Sequence, residues 1–369
     1  MRVLHRGKQS HFRTVDFDRR DNVISLIEQR TLPHKFEIKK LRTTAQTVLA
    51  IRDMMVRGAG AIGATAGYGL AQACLAFQGT RGKPFTTHIN KAQKAILDAR
   101  PTAVDPANAL RYVRAAIDNA NAIEEAKANA VKAAQIFAEA NVEDCRKIGL
   151  SGRSLIKPGT RILTHCNAGW LAFVDIGSAT APIYAAHADG IPFHVYCDET
   201  RPRLQGASLT AWELHNEGVS HDIIPDNAAG HMMQRGEIDL VITGADRVLG
   251  KTGAAANKIG TYTKAVLAKH HKIPFYIAIP LSTLDWSTSD GFEIPIEERD
   301  EIEVTQVRGV TAAKRWHQVS IANPGSTARN PAFDVTPPEL ITGIITPKGI
   351  YRPSQLKKKK ASLQSPFNF

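Results

Sequence analysis

Arg161-Ile162-Leu163-Thr164-His165-Cys166-Asn167-Ala168-Gly169 decides how this chain is read. A short apolar run leads into a polar turn of small residues. That is the form of a buried strand whose carboxyl end opens on a crevice, the place where open α/β sheets bind ligands. Cys166 at the strand exit is therefore a candidate catalytic group. A second run, Ile238-Asp239-Leu240-Val241-Ile242-Thr243, ends in the same way in Gly244-Ala245-Asp246-Arg247. Two strand ends are thus expected to present a thiol and a carboxyl to one pocket.

Outward from these runs the pattern alternates. Further apolar runs at 193–196, 222–224 and 275–279 are separated by helix-like segments at 209–216 and 261–271. Strands alternating with helices at that spacing predict a doubly wound parallel sheet. Pro192 and Pro274 stand at strand entries, where a missing N–H is tolerated. A final loop and strand are expected over 330–346. The first part reads differently: a small strand pair at 23–33 and 36–38, then helices at 43–55, 62–77, 88–98, 106–118 and 122–148. The turn-rich stretch 149–159 is the expected boundary. The fold class is α/β: a mostly helical N-terminal domain with a small β-sheet (1–150), then a Rossmann-like doubly wound parallel-sheet domain (151–352). The segment 353–369, with Lys357 to Lys360, is expected to be a disordered basic tail.

The 369 residues, 43% hydrophobic and 22% charged, can bury a sizeable core. Cys74, Cys145, Cys166 and Cys197 form no Cys-x-x-Cys pair, so neither a disulfide framework nor a zinc site is indicated, and a reducing, cytoplasmic setting is expected. No apolar leader and no run of membrane-span length is present. The formal charge of +12 suits nucleic acid, a membrane surface or a phosphorylated substrate, and charge alone does not choose among them.

Gly58-Ala59-Gly60-Ala61-Ile62-Gly63 has the letters of a dinucleotide fingerprint, but the segment before it is helical in period. No Asp or Glu occurs from Met54 through Leu97 to hold a ribose hydroxyl, so a nicotinamide enzyme is not indicated. What survives is a glycine-rich helix start beside Arg57, whose backbone N–H groups suit a phosphate; a plain helix-packing turn is the alternative.

A lone cysteine is usually an inert small hydrophobe, the reading given to Cys74, Cys145 and Cys197. Cys166 differs in its polar strand exit, with His165 beside it and a helix N-terminus expected after it. Asp246 is a helix cap, a partner of Arg247, or a carboxyl kept protonated by an apolar pocket and able to act as a general acid. Residues 198–206 close the strand that ends at Tyr196 and are expected to line the same crevice. Asn257-Lys258-Ile259-Gly260, expected to open a helix, offers a lysine to a phosphate, and Arg100 a further cation. For each cation, simple solvent exposure is the alternative.

Taken together, Val56-Arg57-Gly58-Ala59, Ala61-Ile62-Gly63, Arg100-Pro101-Thr102-Ala103-Val104, Thr164-His165-Cys166-Asn167-Ala168-Gly169, Asp198-Glu199-Thr200-Arg201-Pro202, Leu204-Gln205-Gly206-Ala207, Gly244-Ala245-Asp246-Arg247, Asn257-Lys258-Ile259-Gly260-Thr261-Tyr262 and Asn330-Pro331-Ala332-Phe333-Asp334-Val335-Thr336-Pro337 resemble the methylthioribose-1-phosphate isomerase family, from about Val23 to about Ile350. The resemblance implies an aldose-ketose isomerase of methionine salvage, homodimeric, working without metal or redox cofactor and without a nucleic-acid or membrane partner. It implies that Cys166 and Asp246 are the catalytic pair, and that Arg57, Gly58, Ala59, Arg100, Gln205, Asn257 and Lys258 contact substrate and phosphate. Phosphate on the anomeric oxygen blocks opening to a free aldehyde, so a neutral acid at the ring oxygen is needed, followed by an enolate route or a hydride shift. The chain departs from the commoner pattern at Gly60, where proline is usual, at Gly253-Ala254-Ala255-Ala256, and in the bulky run Trp170-Leu171-Ala172-Phe173-Val174-Asp175. These departures bear on the 5-substituent: a 5-deoxyribose 1-phosphate or ribose 1,5-bisphosphate isomerase is the enzymic alternative. A regulatory subunit of translation-initiation nucleotide exchange is the non-enzymic one.

Overall fold

The computed structural model describes residues 1–5, 7–100 and 104–367. Its centre is a seven-stranded sheet ordered Gly349–Tyr351, Gly343–Thr346, Phe275–Ala278, Leu240–Thr243, Arg161–Thr164, His194–Asp198, His221–Ile224. All neighbours run parallel except the hairpin that joins Gly343–Thr346 to Gly349–Tyr351. Leu240–Thr243 and Gly343–Thr346 are buried along their whole length, as strands covered on both faces must be. From Arg161–Thr164 the chain steps outward to His221–Ile224, then returns to the opposite side of its starting strand at Leu240–Thr243. The reversal thus falls between the two strands that end at Cys166 and Asp246.

The first third is a mixed unit of helices and a three-stranded antiparallel sheet, Val15–Asp18, Val23–Ile27 and Ile38–Leu41. Helix Ala59–Ala76 is almost wholly buried among the helices Thr44–Arg52, Lys83–Asp98, Val104–Asp118 and Ile123–Gly152. Its Gly and Ala residues let those neighbours close in: a Cβ at Gly69 would lie 2.9 Å from Thr47 Cγ2. The resulting apolar core joins Ile51, Ile62, Leu70, Ile89, Ile96 and Leu110. No described helix is long and apolar enough to cross a membrane.

Three expectations are corrected. Residues 149–152 do not turn: helix Ile123–Gly152 runs through them, because a Cβ at Gly149 or Gly152 would meet Ala181 O at 3.0 Å or Pro182 Cγ at 2.6 Å, so glycine here serves close packing. Asn257 and Lys258 end a strand, Ala255–Lys258, and the helix begins at Thr261. That strand belongs to a second sheet, Leu284–Asp285, Arg247–Leu249, Ala255–Lys258, Phe333–Thr336, which the sequence did not reveal. The basic tail is ordered in short helical turns, Pro353–Leu356 and Lys360–Leu363, with Leu356 and Leu363 buried and Phe367 packed edge-on to Tyr112 and Phe137. Apolar residues spaced among exposed lysines anchor it.

Two acids, Asp105 buried and Asp144 half-buried, lie where helix Val104–Asp118, helix Ile123–Gly152 and the turn Leu281–Thr283 meet. Burial pushes Asp105 and Asp144 each up to about 6; Ser282 opposes the shift at Asp105 and the Leu281 N–H opposes it at Asp144. Neither oxygen of Asp105 completes a hydrogen bond among the described residues. A carboxyl whose folded pKa is raised holds its proton where the unfolded chain has lost it. Its contribution therefore declines as pH climbs from the unfolded value near 3.8 to about 6. Asp105→Asn should then stabilise the protein by about 2 kcal/mol at pH 7.5 and much less at pH 4. Thermal unfolding of both proteins across that range checks it; an equal difference at both pH values rejects the assignment.

Candidate active site

Both candidate catalytic residues line one cavity, at the carboxyl ends of the two central strands. Every residue that the resemblance assigned is there: Cys166, Asp246, Arg57, Gly58, Ala59, Arg100, Gln205, Asn257 and Lys258. Pro101, Thr102 and Ala103 lie outside the described residues. Arg299, which the sequence did not single out, also lines it. Among the lining residues four cations, Arg57, Arg100, Lys258 and Arg299, face the single carboxyl of Asp246, so the cavity favours a multiply charged anion.

Arg57 is aimed by the Cys166 loop itself. Its guanidinium donates to Asn167 Oδ1 at 3.1 Å and to the Asn167 carbonyl at 2.7 Å. Burial lowers the pKa of Arg57, of Lys258 and of Arg299 from their ordinary values, while Cys166 and Asp246 act in the opposite sense on the first two. A bound phosphate would relieve the same stress. Lys258 Nζ donates to the Ala332 carbonyl at 2.9 Å and lies 4.6 Å from the Phe333 ring centre. Asn257 Nδ2 donates to Thr261 Oγ1 at 2.9 Å. Gln205 Oε1 is buried without a partner among the described residues, a group left for a ligand hydroxyl. Gly58, at φ 90°, caps helix Ala59–Ala76; a Cβ there would sit 2.3 Å from Ala172 Cα, so only glycine fits.

Protein packed around Asp246 raises its carboxyl pKa, burial being the main cause, against the pull of Lys258, Arg100 and Arg57. Its side chain is nonetheless open to the cavity. Asp246 is neither a helix cap nor a partner of Arg247, which turns to Asp285 at 3.2 Å. Cys74, Cys145 and Cys197 are buried, and burial pushes all three thiols up, Cys74 to about 11. Cys166 alone is half-buried. No α-helix starts behind it; the short turn Trp170–Ala172 does.

Two supports went unseen in the sequence. Glu213, fully buried, accepts from Trp170 N at 2.9 Å, Leu171 N at 3.0 Å, Asn167 Nδ2 at 2.8 Å and Tyr184 Oη at 2.9 Å. It fixes Asn167 and through it Arg57; burial still holds its pKa above the ordinary value. A glutamate amid a helical pattern gives no such signal. His165 places Nδ1 2.9 Å from Asp198 Oδ2 and Nε2 2.9 Å from the Ile259 carbonyl. The ligand atoms of His165, Asp198 and Asp226 lie within 4.8 Å of one another, and Lys264 Nζ, 3.1 Å from Asp198 Oδ2, supplies a positive charge there.

The departures at Gly60 and in the bulky run prove to be one packing solution. A Cβ at Gly60 would come within 2.6 Å of Phe173 Cδ1 and 2.4 Å of Asn141 Nδ2. Trp170 and Leu171 pack away from the cavity in an apolar cluster with Ile27 and Leu32, whereas Ala172 and Phe173 line it. A wider cleft sharing Met54, Arg57 and Gln205 adjoins the cavity, bordered by the hairpin Gln306–Val310 and Trp316–Ser320.

Residues 55–353 match the Initiation factor 2 subunit family. A methylthioribose-1-phosphate isomerase of Brucella anthropi is 48% identical over 356 residues, 94% of this chain and 96% of that protein. The structure of 5-methylthioribose 1-phosphate isomerase from Pyrococcus horikoshii superposes with a TM-score of 0.84 at 39% identity, covering 96% of each chain. That of translation initiation factor eIF-2B, subunit delta, from A. fulgidus does so at 0.80 and 38%, covering 95% of this chain and 99% of the other. Family match and relatives agree: the chain belongs to the Initiation factor 2 subunit family and, within it, to the methylthioribose-1-phosphate isomerases.

Proposed function

We propose that this protein isomerises 5-methylthioribose 1-phosphate to 5-methylthioribulose 1-phosphate. The observation that carries the reading is a half-buried thiol and a carboxyl of raised pKa on one cavity with four cations. Asp246, neutral, donates a proton to the ring oxygen, which opens a ring that the anomeric phosphate otherwise keeps closed. Cys166 takes the C2 proton in an enolate route or stabilises positive charge in a hydride shift. Arg57, Arg100 and Lys258, with the N–H groups at the start of helix Ala59–Ala76, neutralise the phosphate; Gln205 and Asn257 orient the sugar.

Next to Asp246 and Phe333 lies an annex with an apolar wall of Ile62, Val104, Ile294, Pro295 and Ile296, lined also by Arg100 and Arg247. That wall supports an apolar 5-substituent, methylthio or deoxy. The reading carries with it a mostly helical N-terminal domain (1–150), a Rossmann-like catalytic domain (151–352), a homodimer and a cytoplasmic site of action. Likeness to the translation factor supports a second reading, a regulatory subunit of nucleotide exchange.

The test is turnover of 5-methylthioribose 1-phosphate, 5-deoxyribose 1-phosphate and ribose 1,5-bisphosphate side by side, in chelator and without added nucleotide. The expected result is conversion of the methylthio sugar with the bisphosphate inert. No conversion of any of the three would turn the assignment toward the regulatory reading. Deuterium at C2 tests the routes: a hydride shift requires complete retention at C1, and any loss to solvent marks the enolate.

A further inference from the structure

Cys166 stands at φ 63° and Thr200 at φ 64°, in the left-handed region that residues bearing a Cβ seldom occupy and β-branched residues least of all. Such strain persists where the surroundings enforce it. The two strained residues are bonded to each other across the ends of neighbouring strands. Thr200 Oγ1 accepts the Cys166 N–H at 2.8 Å and donates to the Asp198 carbonyl at 3.0 Å. On the other side Thr210 Oγ1 donates to the Cys166 carbonyl at 2.7 Å while accepting from Asn167 Nδ2 at 3.1 Å. Thr200 is held in turn by Asp226, whose two carboxylate oxygens accept the N–H groups of Thr200 at 2.8 Å and Arg201 at 2.7 Å. Both threonines are buried, at 0% and 1% exposure, and neither lines the cavity.

We infer that Thr200 and Thr210 are positioning residues that clamp the backbone of Cys166 on its N–H and carbonyl sides and so aim its sulfur into the cavity. Glycine would meet the backbone demand at position 200 with less strain. A threonine there is explained by its hydroxyl, which accepts the Cys166 N–H and donates to the Asp198 carbonyl. The inference rests on the reading of Cys166 as catalytic.

Thr200→Gly separates a clamp from mere packing, because it removes hydroxyl and strain together. The variant is expected to unfold at a temperature close to that of the wild type, with kcat down about a hundredfold and KM changed by less than about threefold. Thr200→Ser, which restores the hydroxyl, should recover kcat to within about threefold of the wild type. Without any substrate, alkylation of Cys166 by iodoacetamide, mapped by peptide mass spectrometry, should change by at least about threefold in Thr200→Gly and not in Thr200→Ser. Should Thr200→Gly fail to fold, Thr210→Val, of similar shape, carries the same two expectations. Unchanged kcat and unchanged alkylation would overturn the clamp. A wild-type protein inert toward all three sugar phosphates would instead overturn the isomerase reading, and the alkylation comparison then decides the clamp by itself.

Discussion

Asp246→Asn is expected to lower kcat by about 10³- to 10⁴-fold, a loss of roughly 4 to 5 kcal/mol of transition-state stabilisation. The amide keeps the volume of the carboxyl and cannot deliver a proton to the ring oxygen. KM should move little, because the four cations of the cavity remain. Burial raises the Asp246 pKa, so the working, protonated form persists to higher pH than for an ordinary aspartate and is lost as pH rises through that raised value. Wild-type kcat/KM should therefore fall on the alkaline side, and Arg100→Gln or Lys258→Gln, which remove cations that hold the pKa down, should move that limb upward in pH. A rate for Asp246→Asn within tenfold of the wild type would end the general-acid assignment.

Cys166→Ala should cost about 10³-fold in kcat, and Cys166→Ser nearly as much, because a hydroxyl is a far weaker acid than a thiol, supplies almost no anionic base at neutral pH and is less polarisable. The alanine variant leaves the clamp intact, since Thr200 and Thr210 bind backbone atoms of residue 166. Its melting temperature should stay close to that of the wild type, which separates loss of chemistry from loss of fold. Activity surviving at a tenth or more in Cys166→Ala would leave Asp246 and the cations to carry the reaction and would remove the thiol from it.

The strands were legible because their burial on two faces writes continuous apolar runs: the run at 240–242 and the turn after it forecast both a buried strand and a carboxyl, Asp246, presented to a pocket at its end. The helices of the first third were legible from spacing. Gly149 and Gly152 misled because glycine marks a turn and a close helix contact with the same letter, and only the neighbour, Ala181 or Pro182, tells them apart. Lys357 to Lys360 misled for the opposite reason: the charge run is exposed, while the anchoring Leu356, Leu363 and Phe367 are too sparse to stand out. Arg299 and Glu213 were invisible, since a charged residue shows its burial only through partners distant in the chain.

The sequence by itself pointed to the groups proposed to carry the chemistry, because strand exits and glycine turns are local patterns and because nine motifs in order resemble one family. The tertiary structure alone decided how those groups meet. Reversal of strand order between Arg161–Thr164 and Leu240–Thr243 brings Cys166 and Asp246 to one crevice. The second sheet carries Asn257 and Lys258 to its rim, and Thr200, Thr210 and Glu213 hold the thiol's loop in place. These are contacts between residues tens of positions apart, fixed by packing and hydrogen-bond satisfaction across the whole core, and no local stretch of sequence encodes them.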